Sequence, residues 1–323
     1  MPAERFEVLT MGRVGVDVYP EQVGVPLEDV TSFHKYLGGT ATNVAVAAAR
    51  HGRRSAVITR TGDDPFGRYI HQALRGFGVD DRYVTPVAGL PTPVVFCEIF
   101  PPDDFPLYFY REPRAPDLEI NVDELDIEAI VDADIFWVTG TGFSVEPSRT
   151  ATMAALKARA AGEGSSRRRL TVLDLDYRPM FWASRDEASV AIGAALELVD
   201  VAVGNLDEVE VAVGDRDPDK AARMLLDSGV GFAVVKQGPA GVLGARGDDW
   251  ATVPPVAVDV VNGLGAGDAF GGALCHGLLS GWDTKAVLQF ANAAGAIVAG
   301  RLACADAMPT STEVENVVKA GHA

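Results

Sequence analysis

The chain has 323 residues, 48% of them hydrophobic and 23% charged, a balance that supports a sizeable buried core and excludes disorder as the main state. Lys and Arg number 28 against 45 Asp and Glu, a net charge of −17, which argues against a nucleic-acid partner because phosphate neutralisation needs clustered basic side chains. Cys97, Cys275 and Cys304 show neither disulfide-framework nor zinc spacing, the N-terminus has no signal-peptide pattern, and no run of about 18 apolar residues could span a membrane; the expectation is a cytoplasmic protein with reduced thiols and no membrane partner.

In chain order, short β-rich apolar runs at 6–11, 55–59, 135–139, 170–174, 201–204 and 232–236 read as strands. Helical candidates lie at 42–51, 67–77, 149–161, 187–198, 219–228, 268–280 and 284–300. Strand and helix alternate across most of the length, which predicts a single α/β domain over 1–323, a doubly wound, mostly parallel sheet flanked by helices. Two stretches, 14–37 and 93–120, break the rhythm: they are rich in Val, Tyr, Phe and Pro and lack a helical period. They read as strands of a small separate sheet, usable as a lid over an active site or as a dimer interface. The segment AGEGSSRRR at 161–169 reads as an exposed loop whose arginines are a solvated surface run.

The chemistry concentrates at NGLGAGDAFGG, 262–272, between a β-rich run at 256–261 and a helix. Gly263, Gly265 and Gly267 let the backbone turn sharply and bring amide N–H groups close to an anion, and the helix adds its positive end. Asp268, in the first helical turn, is either a cap or a base that takes a proton from an attacking hydroxyl beside that nest of donors. A second glycine-led segment, GGTATN at 38–43, reads as a helix entry with a Thr or Asn cap, or as a place where Gly39 and Asn43 meet sugar hydroxyls. The chain has no G-x-x-x-x-G-K-[ST], no exact G-x-G-x-x-G, no H-E-x-x-H and no G-x-S-x-G. P-loop kinases, ordinary dinucleotide enzymes, metalloproteases and α/β-hydrolases are therefore unsupported.

GGTATNVAVAAARHG near the N-terminus and NGLGAGDAFGGAL near the C-terminus resemble the paired signatures of the ribokinase-like (PfkB) carbohydrate kinases. TRTGDDPFG, LDLDYRP, NLDE and VVKQGPAGV follow in the family's order and spacing. The resemblance covers essentially the whole chain and implies a ribokinase-like fold with a β-sheet lid and MgATP as phosphoryl donor. It implies Asp268 as catalytic base, with the amides of Gly265, Ala266 and Gly267 as anion hole. Asn205 and Glu208 would support the magnesium and phosphate network; Lys236, Gly238 and Gly241 would line the nucleotide site, with Asn292 beside the adenine. Asp17 would bind substrate hydroxyls together with Gly39 and Asn43. At Asn262 the chain departs from the Asp often found there; in relatives that loop takes part in a monovalent-cation site, so the resemblance does not carry potassium activation over to this chain.

Within the family, the wording around 12–20, 35–67, 89–117 and 173–182 is similar to the branch that phosphorylates the terminal hydroxyl of 5-dehydro-2-deoxygluconate in inositol breakdown. An acid substrate needs a partner for its carboxylate, and the two-pronged guanidinium suits it; Arg111 and Arg178 are placed for this by motif position. Kinases of 2-keto-3-deoxygluconate use similar positions, so the arginines separate acids from neutral sugars, such as fructose and ribose, but not the two acids from each other. A catalytically silent sugar sensor is the rival from another class, against which the intact GAGD and NLDE segments count. A homodimer through the lid is a further expectation of the resemblance.

Overall fold

The strand sequences are apolar on both faces, so the sheet they form needs helices on both sides. The computed structural model describes residues 5–162 and 169–321. In chain order its strands are β1 (Val8–Met11), β2 (Gly15–Pro20), β3 (Phe33–Gly38), β4 (Ser55–Gly62), β5 (Val79–Asp80), β6 (Val84–Val87), β7 (Val94–Cys97), β8 (Leu107–Tyr110), β9 (Ile135–Thr139), β10 (Leu170–Asp174), β11 (Val201–Asn205), β12 (Phe232–Lys236), β13 (Val242–Arg246) and β14 (Asp249–Val253). Ten of them make one sheet in the order β14-β13-β12-β11-β10-β9-β1-β4-β5, with β6 also on β4. All pairings from β5 to β12 are parallel, and only the β12–β13–β14 edge is antiparallel. A four-stranded sheet, β3-β2-β7-β8, stands apart and is built from the two off-rhythm stretches.

Successive strand residues alternate between two cores: Ile135 and Trp137 of β9 face one, Phe136 and Val138 the other, all fully buried. Helices Thr40–Arg50, Ala266–Leu279 and Thr284–Ala299 cover the first face, and Ser148–Ala161, Arg185–Leu196 and Pro218–Asp227 the second. Among the described residues no helix is long and apolar enough to cross a membrane. Helices Thr40–Arg50 and Ala266–Leu279 touch so closely that a Cβ on Gly272 would collide with Ala47. One turn earlier on each helix, Asn43 Nδ2 donates to Asp268 Oδ2 at 2.7 Å. Positions four apart share a helix face, so a single crossing sets both contacts.

From β1 the chain runs outward through β4 to β5, then returns to β9 on the other side of β1 and runs the opposite way. That reversal opens a crevice at the carboxyl ends of the parallel strands, where ligands of such sheets bind.

Several expectations need correction. Residues 256–261 form no strand: Pro254 and Pro255 lack backbone donors and the run lies along the surface, tied back where Val261 and Asn262 donate to the Ala299 carbonyl. Helix Thr40–Arg50 starts two residues early because Gly39, at φ 103, makes the turn as N-cap without any side-chain cap bond. Asp268 does not cap its helix either; the N-cap is Gly265. The edge hairpin of β13 and β14 and helices Ile127–Asp132, Leu206–Val213 and Ser311–Ala320 are additions to the expected elements. Of the loop arginines, Arg167 and Arg168 lie outside the described residues, and Arg169 pairs with Asp132 at 2.8 Å.

Candidate active site

A cavity of about 450 Å³ occupies the crevice. Its walls come off successive strand ends: Arg13 after β1, Asp174, Asp176 and Arg178 at and after β10, Asn205 and Glu208 at β11, and Lys236 closing β12. The small sheet roofs it. On β2, β7 and β8, Asp17, Tyr19, Val95, Leu107 and Phe109 point down into the cavity, while Phe33, Tyr108 and Tyr110 are exposed on the outer face.

The floor is the start of helix Ala266–Leu279. Gly265 takes φ 79, a left-handed conformation, with Cys304 Sγ so close that a Cβ would sit 2.7 Å from it. The next amides begin the helix and have no intrahelical acceptor, so they face the cavity as donors. A Cβ on Gly267 would lie 3.4 Å from Lys236 Nζ, which places an ammonium beside those donors. Burial works against the Lys236 ammonium, but Glu208, Asp174 and Asp268 outweigh it and hold its pKa above the usual value. Ammonium, amides and helix end together make a cradle for anionic oxygens.

Asp268 stands at the edge of this cradle. Burial pushes its carboxyl up to about 6, against the Asn43 hydrogen bond and with Asp176 adding to the rise. Asn43 Oδ1 is buried and without a partner, an acceptor ready for a hydroxyl. Asp17, under the lid, is likewise pushed up to about 6 by burial, although Tyr19 donates to it at 3.0 Å and Arg13 lies near. A Cβ on Gly38 would clash with the Asp17 carboxylate, so that glycine lets the acid lie flat against the turn into Gly39.

Asn205 and Glu208 form a reciprocal cap: Asn205 Oδ1 accepts from the amides of Asp207 and Glu208 at 2.9 and 3.0 Å, and Glu208 Oε2 accepts from the Asn205 amide at 2.7 Å. Both still line the cavity. Among the described residues no group of three or more His, Cys, Asp or Glu side chains could by itself hold a metal. Asn262 is fully buried and ties its loop down, donating to the Leu302 carbonyl at 2.7 Å and accepting from the Leu264 amide at 3.0 Å.

The other expected residues divide. Gly238, Arg178, Gly39 and Asn43 line the cavity with Asp268, Lys236 and Asp17. Gly241 and Asn292 stand outside its lining and meet at Pro254, whose carbonyl accepts from Asn292 Nδ2 at 2.7 Å. Arg111 lines a neighbouring cavity and is paired with Asp117 at 2.8 Å. Beyond the expected set, the lining includes Arg13, Tyr19, Asp174, Asp176 and Cys304. Asp176 has φ 28, a strained value for a non-glycine residue, and is held there by Thr141 Oγ1 at 3.2 Å and Arg178 Nε at 3.1 Å. The only sign of the two carboxylates in the sequence is LDLD at a strand end.

Known proteins share this fold and match this sequence over nearly its whole length. A model described as pfkB family carbohydrate kinase matches residues 5–311. The chain is 31% identical over 323 residues to a 5-dehydro-2-deoxygluconokinase of Geobacillus thermodenitrificans (strain NG80-2), covering 97% of this chain and 93% of that one. It is 29% identical over 321 residues to one of Clostridium perfringens, covering 98% and 93%. A fructokinase from Vibrio cholerae O395, solved with fructose, ADP and a calcium ion, superposes with a TM-score of 0.84 at 24% identity over 98% of this chain and 100% of that one. An E. coli protein given the provisional name ribokinase II, solved with ATP and Mg2+, superposes with a TM-score of 0.87 at 24% identity over 98% and 99%. At those identities the two structures establish the fold.

Proposed function

The chain belongs to the PfkB family of carbohydrate kinases, and from that premise we propose that it transfers the γ-phosphoryl group of MgATP to the terminal hydroxyl of 5-dehydro-2-deoxygluconate. The observation that supports this reading is the cavity itself, lined under one lid by the Asp268 carboxylate, the Lys236 ammonium, the start of a helix, Arg178 and the buried Arg13.

Asp268 Oδ2 is steadied by Asn43 and accepts the proton of the terminal hydroxyl as that oxygen attacks the γ-phosphorus in line. The amides of Gly265, Ala266 and Gly267 and the Lys236 ammonium stabilise the charge on the transferred group. Asp17 and Asn43 hold sugar hydroxyls, with Gly39 leaving room for them. The nucleotide lies along the β11–β12 side, over Gly238 and towards Gly241 and Asn292. Asn205 and Glu208, which line the cavity, would hold Mg2+ through water, since that ion does not need an all-protein cage; bound there, it would neutralise phosphate charge. The lid excludes water, the competing acceptor. At the far end of the sugar Arg178, which lines the cavity, receives the substrate carboxylate. A cytoplasmic site suits the need for ATP and the three buried, unpaired thiols.

ADP release measured with MgATP against 5-dehydro-2-deoxygluconate, 2-keto-3-deoxygluconate, fructose and ribose tests the reading. The first acid is expected to lead in kcat/KM and both acids to exceed both neutral sugars by at least about tenfold, the usual worth of a charged hydrogen-bonded pair. Preference for a neutral sugar would leave the kinase chemistry standing and remove the acid.

The outer face of the lid carries a chain of edge-on aromatic contacts, Phe33 to Phe96 at 5.6 Å and Phe96 to Tyr110 at 5.6 Å, with Tyr110 65% exposed. This face is the contact we assign to a homodimer. Light scattering should give twice the chain mass for the native protein and the chain mass for Tyr110→Lys; a monomeric native protein would end the assignment.

A further inference from the structure

Arg13 is the wall between two cavities. On one side lies the cavity of Asp268; on the other, one of about 440 Å³ lined by Arg111, Arg114, Met180 and Phe181. It follows β1 at the point where the strand order reverses and is only 8% exposed. Its Nη2 donates to Thr40 Oγ1 at 2.7 Å, and its guanidinium lies 5.7 Å from the centres of both the Phe109 and Phe181 rings. Nε is buried and has no partner.

Pairing separates Arg13 from the other arginines. Among the described residues Asp176 is the one carboxylate within 4 Å of it, at 3.7 Å, and Asp176 is also the partner of Arg178 at 3.1 Å. Arg13 and Arg178 thus share one close carboxylate, Asp17 and Asp268 act on Arg13 only from farther off, and the buried Nε of Arg13 is left without an acceptor, a donor free for an incoming anion. Arg111, by contrast, has the buried Asp117 as its own partner, and Arg114 is paired with Glu119. Arg111 reaches the corner only indirectly: its guanidinium lies 5.1 Å from the Phe181 ring, the same ring that flanks Arg13.

We propose that Arg13, together with Arg178, is the seat of the substrate carboxylate, and that Arg111 is a positioning residue that fixes Phe181 against Arg13. The proposal rests on the sugar-acid reading above and sharpens it. A terminal hydroxyl at Asp268 and a carboxylate at Arg13 read both ends of one extended sugar acid at once, which a neutral sugar of the same length cannot satisfy.

The test compares Arg13→Gln, Arg13→Lys and Arg111→Gln in steady-state kinetics with 5-dehydro-2-deoxygluconate and with fructose, the latter read as substrate or as competitive inhibitor, alongside KM for MgATP and a thermal melt. Arg13→Gln is expected to raise KM for the acid by about 10- to 100-fold, while the constants for fructose and MgATP stay within about threefold. Arg13→Lys keeps the charge but loses the fork, so it should fall between, and Arg111→Gln should cost the acid less than Arg13→Gln. Should the Gln variant not melt cooperatively, the Lys variant carries the comparison, with about a tenfold rise for the acid alone. Equal losses on acid and fructose, or no loss on the acid, overturn the role of Arg13. A native enzyme that does not prefer the acid refutes the sugar-acid reading itself, and that result is read before any substitution is made.

Discussion

Asp268→Asn is expected to lose on the order of 10²–10⁴ in kcat, the range for removal of a general base, while its thermal melt and KM for MgATP stay close to native. The substitution is nearly isosteric, so Asn43 keeps a hydrogen-bond partner at a contact that is 2.7 Å in the native protein and the helix pair has no reason to shift. A pH profile supplies the second half of the test. Burial holds the Asp268 carboxyl at about 6, above the ordinary value of 3.8; a base must be ionised to accept a proton, so native kcat should rise as pH increases through about 6 and level off above it. Asp17 titrates in the same region, which makes the variant the decisive comparison: its residual rate should lose the rise that Asp268 imposes. A variant turning over near the native rate would remove Asp268 from the mechanism.

Gly265→Ala is expected to cost at least about 10² in kcat, the scale of losing one oxyanion donor. Two obstacles act together. The residue has φ 79, and the new Cβ would lie 2.7 Å from Cys304 Sγ and 3.1 Å from the Cys304 backbone. The left-handed conformation alone costs about 1–2 kcal/mol for a residue with a Cβ, and the contact forces the loop to move, taking the amide cradle with it. Gly281→Ala separates strain from position. That glycine also has a positive φ, 71, but nothing lies within 4 Å of its Cβ direction, so the variant should lose stability on a melt and keep native kcat. If both variants kept native kcat, the cradle would have no part in phosphoryl transfer.

The parts of this architecture that announce themselves in sequence are those whose residues act locally. Gly265 and Asp268 sit three apart in one turn, and strands such as Ile135–Thr139 and Phe232–Lys236 are nearly uninterrupted apolar runs. The parts that stay hidden depend on partners far along the chain. Asn43 looks like a cap in its own segment; its partner is 225 positions away, and only the packing of two helices joins them. Arg13 is a single arginine after a strand, without spacing or repeat to mark it, and its meaning comes from sharing Asp176, which stands on a different strand end. The β13–β14 hairpin is hidden for a related reason. Gly244 and Arg246 interrupt an otherwise apolar run, which weakens the strand pattern. The contact that fixes its far strand, Thr284 Oγ1 donating to Asp249 Oδ2 at 2.5 Å, joins residues 35 positions apart.

The meeting of Gly272 with Ala47, one helical turn below Asp268 and Asn43, bears on how this enzyme can change. In the proposed mechanism the reacting end of the site is inherited from the interior, where a single added methyl group would be felt as a displaced proton acceptor. The end to which the proposal gives the choice of sugar is made of strand-end loops and the lid, which tolerate exchange. Altered substrate range should therefore come from replacements at Arg13, Arg178 and the inner lid residues, and a redesign that leaves the glycine crossing untouched should keep its phosphoryl chemistry whichever sugar it is given.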